Sequence, residues 1–401
     1  HGTAEAVARR SYGKLVAFLA ARTRDVAGAE DALAEAFTTA LQAWPASGVP
    51  ANPEAWLLTV ARRKLIDEVR HRRTGEGAAA HLALLAELAG EEASDGAIPD
   101  ERLALMFACA HPALEAGIRA PLILQTILGF DAATIASAFL ISPATMGQRL
   151  VRAKSRIRQA GIPFGVPART DLRERLDAVL EAVYAAYAEG WVDPTGADAR
   201  RRNLADEAIW LGRLLASLLP DEPEALGLLS LMLHAHARRH ARRDAQGAYV
   251  PLAQQAPARW DAALIDEAEA LLQRAGALPG VGRYQLEAAV QSAHAVRRHT
   301  GQTDWPAIER LYEGLWALTA SPVVAINRAI AVAESRGPQA GLAALDALAG
   351  EARLQEYQPY WAARAGLLAR TGATVAADAA YERAIGLERD PAVRQFLQRR
   401  R

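Results

Sequence analysis

FDAATIASAFLISPATMGQRLVRAKSRIR, residues 130–158, decides how the rest of the chain is read. Two short helices joined by a tight turn fit this stretch. Asp131 stands where a first helix needs a cap, Ile135 and Ala136 face inward, and the chain then turns through Phe139, Leu140 and Ile141. Ser142 stands at the cap of a second helix, with Pro143 at the first position, where a missing N–H costs nothing. Met146, Leu150, Ala153 and Ile157 recur at helical spacing and make one apolar stripe. Thr145, Gln148, Arg149, Arg152 and Arg156 share a different face. Five basic residues and no acidic one lie between Arg149 and Arg158.

A helix with one buried stripe and one amide- and guanidinium-bearing face suits the major groove of duplex DNA. Arg and Gln make paired hydrogen bonds to purine edges, while the flanking Lys154 and Arg158 are expected to reach phosphates. A surface helix with a solvated basic face carries the same pattern, so other parts of the chain must discriminate.

The 401 residues are 51% hydrophobic, enough for two or three domains with sizeable cores. Ala, Leu, Arg and Glu dominate and β-branched runs are scarce, which points to an all-α fold. The net charge is zero, so any information about charged partners lies in its distribution. One cysteine, Cys109, leaves no internal disulfide framework or multi-cysteine metal site and fits a reducing cytoplasm. No apolar run approaches the ~20 residues of a membrane span. No signal-peptide pattern opens the chain, and His1 in place of Met is expected to reflect trimming or a tag.

Residues 1–73 read as a compact helical domain. Its first helix, from about Ala4 to Thr23, turns Val7, Leu15, Phe18 and Leu19 inward. Asp25 opens a second, DVAGAEDALAEAFTTALQAWP, expected to stop at Pro45 with Val26, Ala29, Leu33, Phe37 and Leu41 buried. Glu30, Asp31 and Glu35 share its exposed side. Pro53 starts a third, PEAWLLTVARRKLIDEVRHRR, with Trp56, Val60, Leu65 and Val69 among its apolar positions. Arg62, Arg63, Lys64, Arg70, Arg72 and Arg73 lie along it against Asp67 and Glu68. An acidic helix followed by a basic one with an embedded tryptophan suits a basic protein partner on one side and a phosphate backbone on the other. The loop near Asn52 could take an unstacked base. Two solvated faces around a core tryptophan read the same way.

Between Thr74 and Glu101 stand seven acidic residues and no Lys or Arg, so 74–100 reads as an acidic linker. Helices resume in 101–162, which ends in the two-helix stretch. A Pro/Gly-rich hinge, 163–170, leads into 171–401, helical throughout. There INRAIAVAESRGPQAGLAALDAL (326–348) and AARAGLLARTGATVAADAAYERAI (362–385) each give helix, glycine turn, helix, which fits tetratricopeptide-like hairpins.

Signs of an enzyme are nearly absent. His236 and His240, at i and i+4 beside His234, lack the adjacent Glu of a zinc-protease helix and stand among arginines. GALPGVG (276–282) is followed by no Lys-Ser/Thr, so it is no phosphate loop. Cys109 and His111 are expected to pack. No cofactor or metal is expected. An enzyme fused to a DNA-binding module stays a rival, as does a helix-turn-helix regulator with a helical sensor domain acting without a polymerase.

AEDALAEAFTTALQAWP, PEAWLLTVARRKLIDEVRHRR, the acidic linker and LVRAKSRIR come in the order seen in extracytoplasmic-function sigma factors of the sigma-70 family, which the first 160 residues resemble. IPDERLALMFACAHPAL, RLDAVLEAVYAAYAEGW and SPVVAINRAIAVAE are similar to a subgroup with a tetratricopeptide-like carboxy-terminal extension. Ala110 departs from it where a second cysteine is usual, and Ala188 where an Asn is usual. The resemblance implies two small helical domains, regions 2 and 4, and a large helical extension. It implies transcription initiation with RNA polymerase core, held through its β′ clamp helices and β flap, at promoter DNA. Glu30, Asp31 and Glu35, with Phe37, fall in the segment that docks on core polymerase. Asn52, Trp56, Arg62, Arg63 and Arg70 fall where the −10 element is melted and read. Thr145, Gln148, Arg149, Arg152, Lys154 and Arg156 fall where the −35 element is read. The extension is expected to contact the sigma domains and regulate them, and the polymerase to do the chemistry.

Overall fold

Alanine, leucine and arginine favour helix, and helices make up the fold. The computed structural model describes residues 2–71, 98–139, 141–191 and 199–401. The expected linker falls outside the described residues up to position 97, and so does the side chain of Arg70. In order, α1 is Gly2–Thr23, α2 Val26–Ser47, α3 Pro53–His71, α4 Arg102–Cys109, α5 Ala116–Leu128, α6 Ala132–Ala138 and α7 Pro143–Gln159. There follow α8 Arg169–Trp191, α9 Ala199–Leu218, α10 Pro223–Ala237, α11 Ala262–Gly276, α12 Arg283–Ala295 and the short α13 Arg297–Thr300. The last are α14 Trp305–Thr319, α15 Pro322–Arg336, α16 Pro338–Asp346, α17 Gln358–Arg370, α18 Thr374–Leu387 and α19 Pro391–Arg400. Among the described residues one isolated bridge, Arg243 to Tyr249, is the sole extended pairing.

The expected caps form. Asp25 accepts from the Gly28 N–H at 3.2 Å, Asp131 from Thr134 at 2.7 Å and Ser142 from Thr145 at 3.1 Å. Helix α2 does not stop at Pro45: the proline sits inside its last turn, and Gly48, at φ 80°, ends the helix by donating to the Trp44 carbonyl at 3.0 Å. The buried stripe of α2 is Val26, Ala29, Leu33, Ala36, Ala40 and Trp44, whereas Leu41 is 41% exposed and Phe37 half-buried. Small alanines let α1 and α3 come close along that line, and the bulkier residues are turned aside. On α3 the core positions are Leu57, Leu58, Ala61 and Leu65, while Trp56 and Val60 are half-buried.

The chain divides into two compact units, His1–Ala208 and Ile209–Arg401. The Pro/Gly stretch 163–170 therefore lies inside the first unit. Beyond it α8 packs on α4 and α5, and the Arg175 guanidinium donates to the Phe107 carbonyl at 3.0 Å. In the same unit, α1 lies against α4 and α5, and α2 against α7.

In the second unit α10 packs on α11 and α12. Glu224, buried at the start of α10, accepts from the Tyr284 and Gln285 N–H groups at 2.9 and 3.0 Å and so caps α12 from another helix. Gly282 leaves room for that carboxylate, which a Cβ there would strike. Farther on, Gly337 and Gly372, at φ 97° and 82°, turn α15 into α16 and α17 into α18, as the two matching stretches lead one to expect. Ile326, Ala329, Ala333, Leu345 and Tyr360 form one buried cluster and Ala365, Leu368, Ala380, Tyr381 and Leu397 another. Leu342 and Trp361 pack against both.

Candidate nucleic-acid interface

Helix α7 is amphipathic as its spacing demands. Met146, Leu150, Ala153 and Ile157 are buried against the rest of the first unit, each large one contributing roughly 1.5–3 kcal/mol. Thr145, Gln148, Arg152 and Arg156 stand exposed together on the other side. Arg149, at the edge of this face, is half-buried and paired with Glu115 at 3.2 Å. Leu114, Glu115, Ile118, Arg149, Arg152 and Arg156 line a cleft of about 200 Å³ alongside the helix. Three guanidiniums against one carboxylate make it a place for an anion, such as a phosphate. Glu115 escaped the sequence reading because it acts across thirty-four positions with no local pattern to announce it.

Lys154 is placed differently from the expectation. It lies on the opposite side of α7 from Thr145 and Arg156, and its ammonium pairs with Glu30 of α2, the two side chains being 11% and 12% exposed. At 100° per residue, position 154 falls half a turn away from 145, which the charge count along the helix had concealed. Next to it, Arg158 pairs with Asp25 at 3.1 Å.

The acidic face of α2 is thus divided. Glu30 is covered; Asp31 and Glu35 are exposed, and Glu35 meets Lys64 of α3 at 2.9 Å. Burial raises the Glu30 carboxyl above the ordinary carboxylate pKa, with Lys154 opposing the shift. Among the other expected residues, Asn52 caps α3 by accepting from the Ala55 N–H at 3.1 Å. Trp56 meets Trp44 edge to face at 5.5 Å between ring centroids. Arg62 lies over the Phe18 ring at 5.3 Å, and Arg63 is exposed. Asn52, Trp56 and Arg63 are thereby grouped at one end and flank of α3, separate from the exposed face of α7.

The cysteine and histidines of the alternative chemistries are placed as follows. The Cys109 thiol is buried, 3.5 Å from the Thr126 hydroxyl, and burial pushes its pKa up to about 12, far from a nucleophile's range. His236 and His240 do not share a helix, because α10 ends at Ala237 and His240 sits in a following 3-10 turn. Among the described residues no group of three or more His, Cys, Asp or Glu is arranged to hold a metal, and no helix is long and apolar enough to cross a membrane.

Comparison with known proteins identifies one segment in each half of the chain. Residues 7–74 match sigma-70 region 2, and residues 175–276 match a family of unknown function (DUF6596). An uncharacterized protein of Rhizobium meliloti (strain 1021) is 43% identical over 365 residues, covering 90% of this chain and 86% of its own length. No solved structure matches. Residues 7–74, the segment of α1 to α3, thus carry a sigma-70 region 2, which supports a member of the sigma-70 family with a sigma factor's role in promoter recognition.

Proposed function

We propose that the protein is an extracytoplasmic-function sigma factor that directs RNA polymerase core to promoters with two DNA-binding surfaces. Asn52, Trp56, Arg62, Arg63 and Arg70 of the first would engage the melted −10 element. Thr145, Gln148, Arg149, Arg152 and Arg156 of the second would read the −35 element in duplex form. Glu30, Asp31, Glu35 and Phe37 would dock on the polymerase, and the helical second unit, tetratricopeptide-like in its hairpins, would regulate access. Catalysis belongs to the polymerase, in the cytoplasm. The observation that carries this reading is the exposed Thr145–Gln148–Arg152–Arg156 face on a helix whose other side is anchored in the core, in the same chain as a region 2.

Run-off transcription with purified core polymerase tests it. The full chain is expected to confer promoter-dependent initiation and to bind tightly only with core present. A chain that core polymerase ignores, while bare duplex captures it as a dimer on a two-fold site, would instead be a helix-turn-helix regulator.

A further inference from the structure

Arg149 is held differently from the other guanidiniums of the exposed α7 face. Arg152 and Arg156 stand in solvent, whereas Arg149 is half-buried and one of its terminal nitrogens donates to Glu115 at 3.2 Å. The same nitrogen lies over Gly117, where a Cβ would stand 3.3 Å from it. The guanidinium therefore rests on the first turn of α5. A helix start carries partial positive charge and repels a cation. Glu115, the residue before α5, makes no side-chain cap to that helix and gives its carboxylate to Arg149 instead. Its side chain is 75% exposed, on the rim of a cleft that Arg152 and Arg156 also line. There it would repel a phosphate backbone. A pair this open contributes little to stability. A carboxylate that weakens attraction to DNA and scarcely stabilises the fold finds its purpose in the guanidinium it holds.

We propose that Glu115 is a positioning residue for Arg149: it holds the guanidinium against the start of α5, oriented to meet one base of the −35 element. This rests on the proposed −35 reading. An arginine free to rotate samples many rotamers and settles on any phosphate within reach. A guanine edge demands more, since two donors of the fork must meet O6 and N7 together. Fixing the fork before DNA arrives removes that ordering cost for the matching base. Among the described residues Glu115 is the one acceptor for Arg149, so the remaining donors are left for the base. Glu115 thus exchanges general attraction for discrimination at a single position.

The test uses the full chain with core polymerase and a duplex pool randomised across the promoter elements, the retained duplexes being sequenced. Glu115→Ala, Arg149→Ala and the double variant are compared with the unaltered chain. Glu115→Ala is expected to lose about ten-fold in base preference at one −35 position. Binding to other sequences should stay equal or tighten. The released Arg149 gains a phosphate contact, which steepens the log–log salt dependence of binding by roughly one. In the Arg149→Ala background, Glu115→Ala should alter preference at that position by less than about two-fold, because the two act as a unit. Glu115→Gln keeps an acceptor oxygen and should retain part of the preference. Gly117→Ala leaves the charge unchanged but sets a methyl against the guanidinium, and should lose a smaller part at the same position. Thermal melts establish that each variant folds.

A loss confined to one position, and absent once Arg149 is removed, supports the positioning role. An unchanged preference, a change spread evenly over all positions, or a loss that persists without Arg149 overturns it. Position-specific loss in Arg149→Ala alone would then keep the −35 reading. If the unaltered chain shows no preference anywhere in the −35 element, that reading fails, and this inference with it.

Discussion

Arginines serve different ends in the two units. In the second, they close ion pairs between neighbouring helices: Arg328 to Glu313 at 3.2 Å, Arg364 to Asp346, Arg370 to Glu334, and Arg401 to Asp378 and Glu382. In the first, α7 leaves Arg152 and Arg156 in solvent with no ion pair to any described residue. The two units share a helical class and an arginine-rich composition, so composition does not separate them. The position of carboxylates does. Where a guanidinium finds an acid on a neighbouring segment, charge is consumed by the fold. On α7 this takes Arg149, Lys154 and Arg158, and the charge of Arg152 and Arg156 remains for a partner.

The largest test of this contrast concerns the buried side of the second unit. His234 is held neutral there: burial, then Arg238 and Arg298, lower its pKa from 6.5 to about 3, so its 3.4 Å contact with Glu269 is no ion pair at neutral pH. His294, packed edge to face on Trp305, is lowered to about 4. A depressed folded-state pKa contributes stability that is complete above the unfolded value and lost as pH falls towards the folded one. The second unit is therefore expected to weaken between pH 6.5 and about 3 by roughly 1.4 kcal/mol per pH unit from His234 alone. Urea titrations across that range measure it, and His234→Gln should flatten the slope.

Next in size is the cap made from a distance. Glu224→Ala leaves the Tyr284 and Gln285 N–H groups buried and unpaired, and Gly282→Ala drives a methyl into the same carboxylate. Each is expected to cost roughly 2–4 kcal/mol in the second unit. A denaturation midpoint that stays put for both would remove the cap from the account.

Arg152→Ala should behave in the opposite way, leaving stability within about 0.5 kcal/mol while costing ~1–3 kcal/mol of discrimination at one base position. Competition binding of holoenzyme to a panel of −35 variants reads this. A uniform loss across the panel would reassign Arg152 to phosphates. The smallest effect is expected for Arg364→Ala, whose partly exposed pair with Asp346 is worth less than about 1 kcal/mol. A larger loss would mean that the ion pairs of the second unit act as a network.

Much of this was legible in the chain. Asp25, Asp131 and Ser142 announced three helix starts, the Met146–Ile157 stripe named the buried side of α7, and the glycine turns at Gly337 and Gly372 fell where the matching stretches put them. Exposed positions Thr145, Gln148, Arg152 and Arg156 were equally readable, because one buried stripe fixes the opposite face. Leu41 and Lys154 were not. Leu41 satisfies the period of α2, yet the alanine line at Ala36 and Ala40 packs closer and takes the core.

Taken alone, the sequence determined the helical class, the caps at Asp25, Asp131 and Ser142 and the apolar stripe of α7, since these depend on neighbours within a few positions. Only tertiary structure decided that Glu30 would lie beneath Lys154, that Glu224 would cap a helix sixty residues away, and that the units would divide at Ala208 rather than at the Pro/Gly stretch. Periodicity states which side of a helix must be covered. What covers it is settled by packing between segments far apart in the chain, where shape and paired charge select the partner.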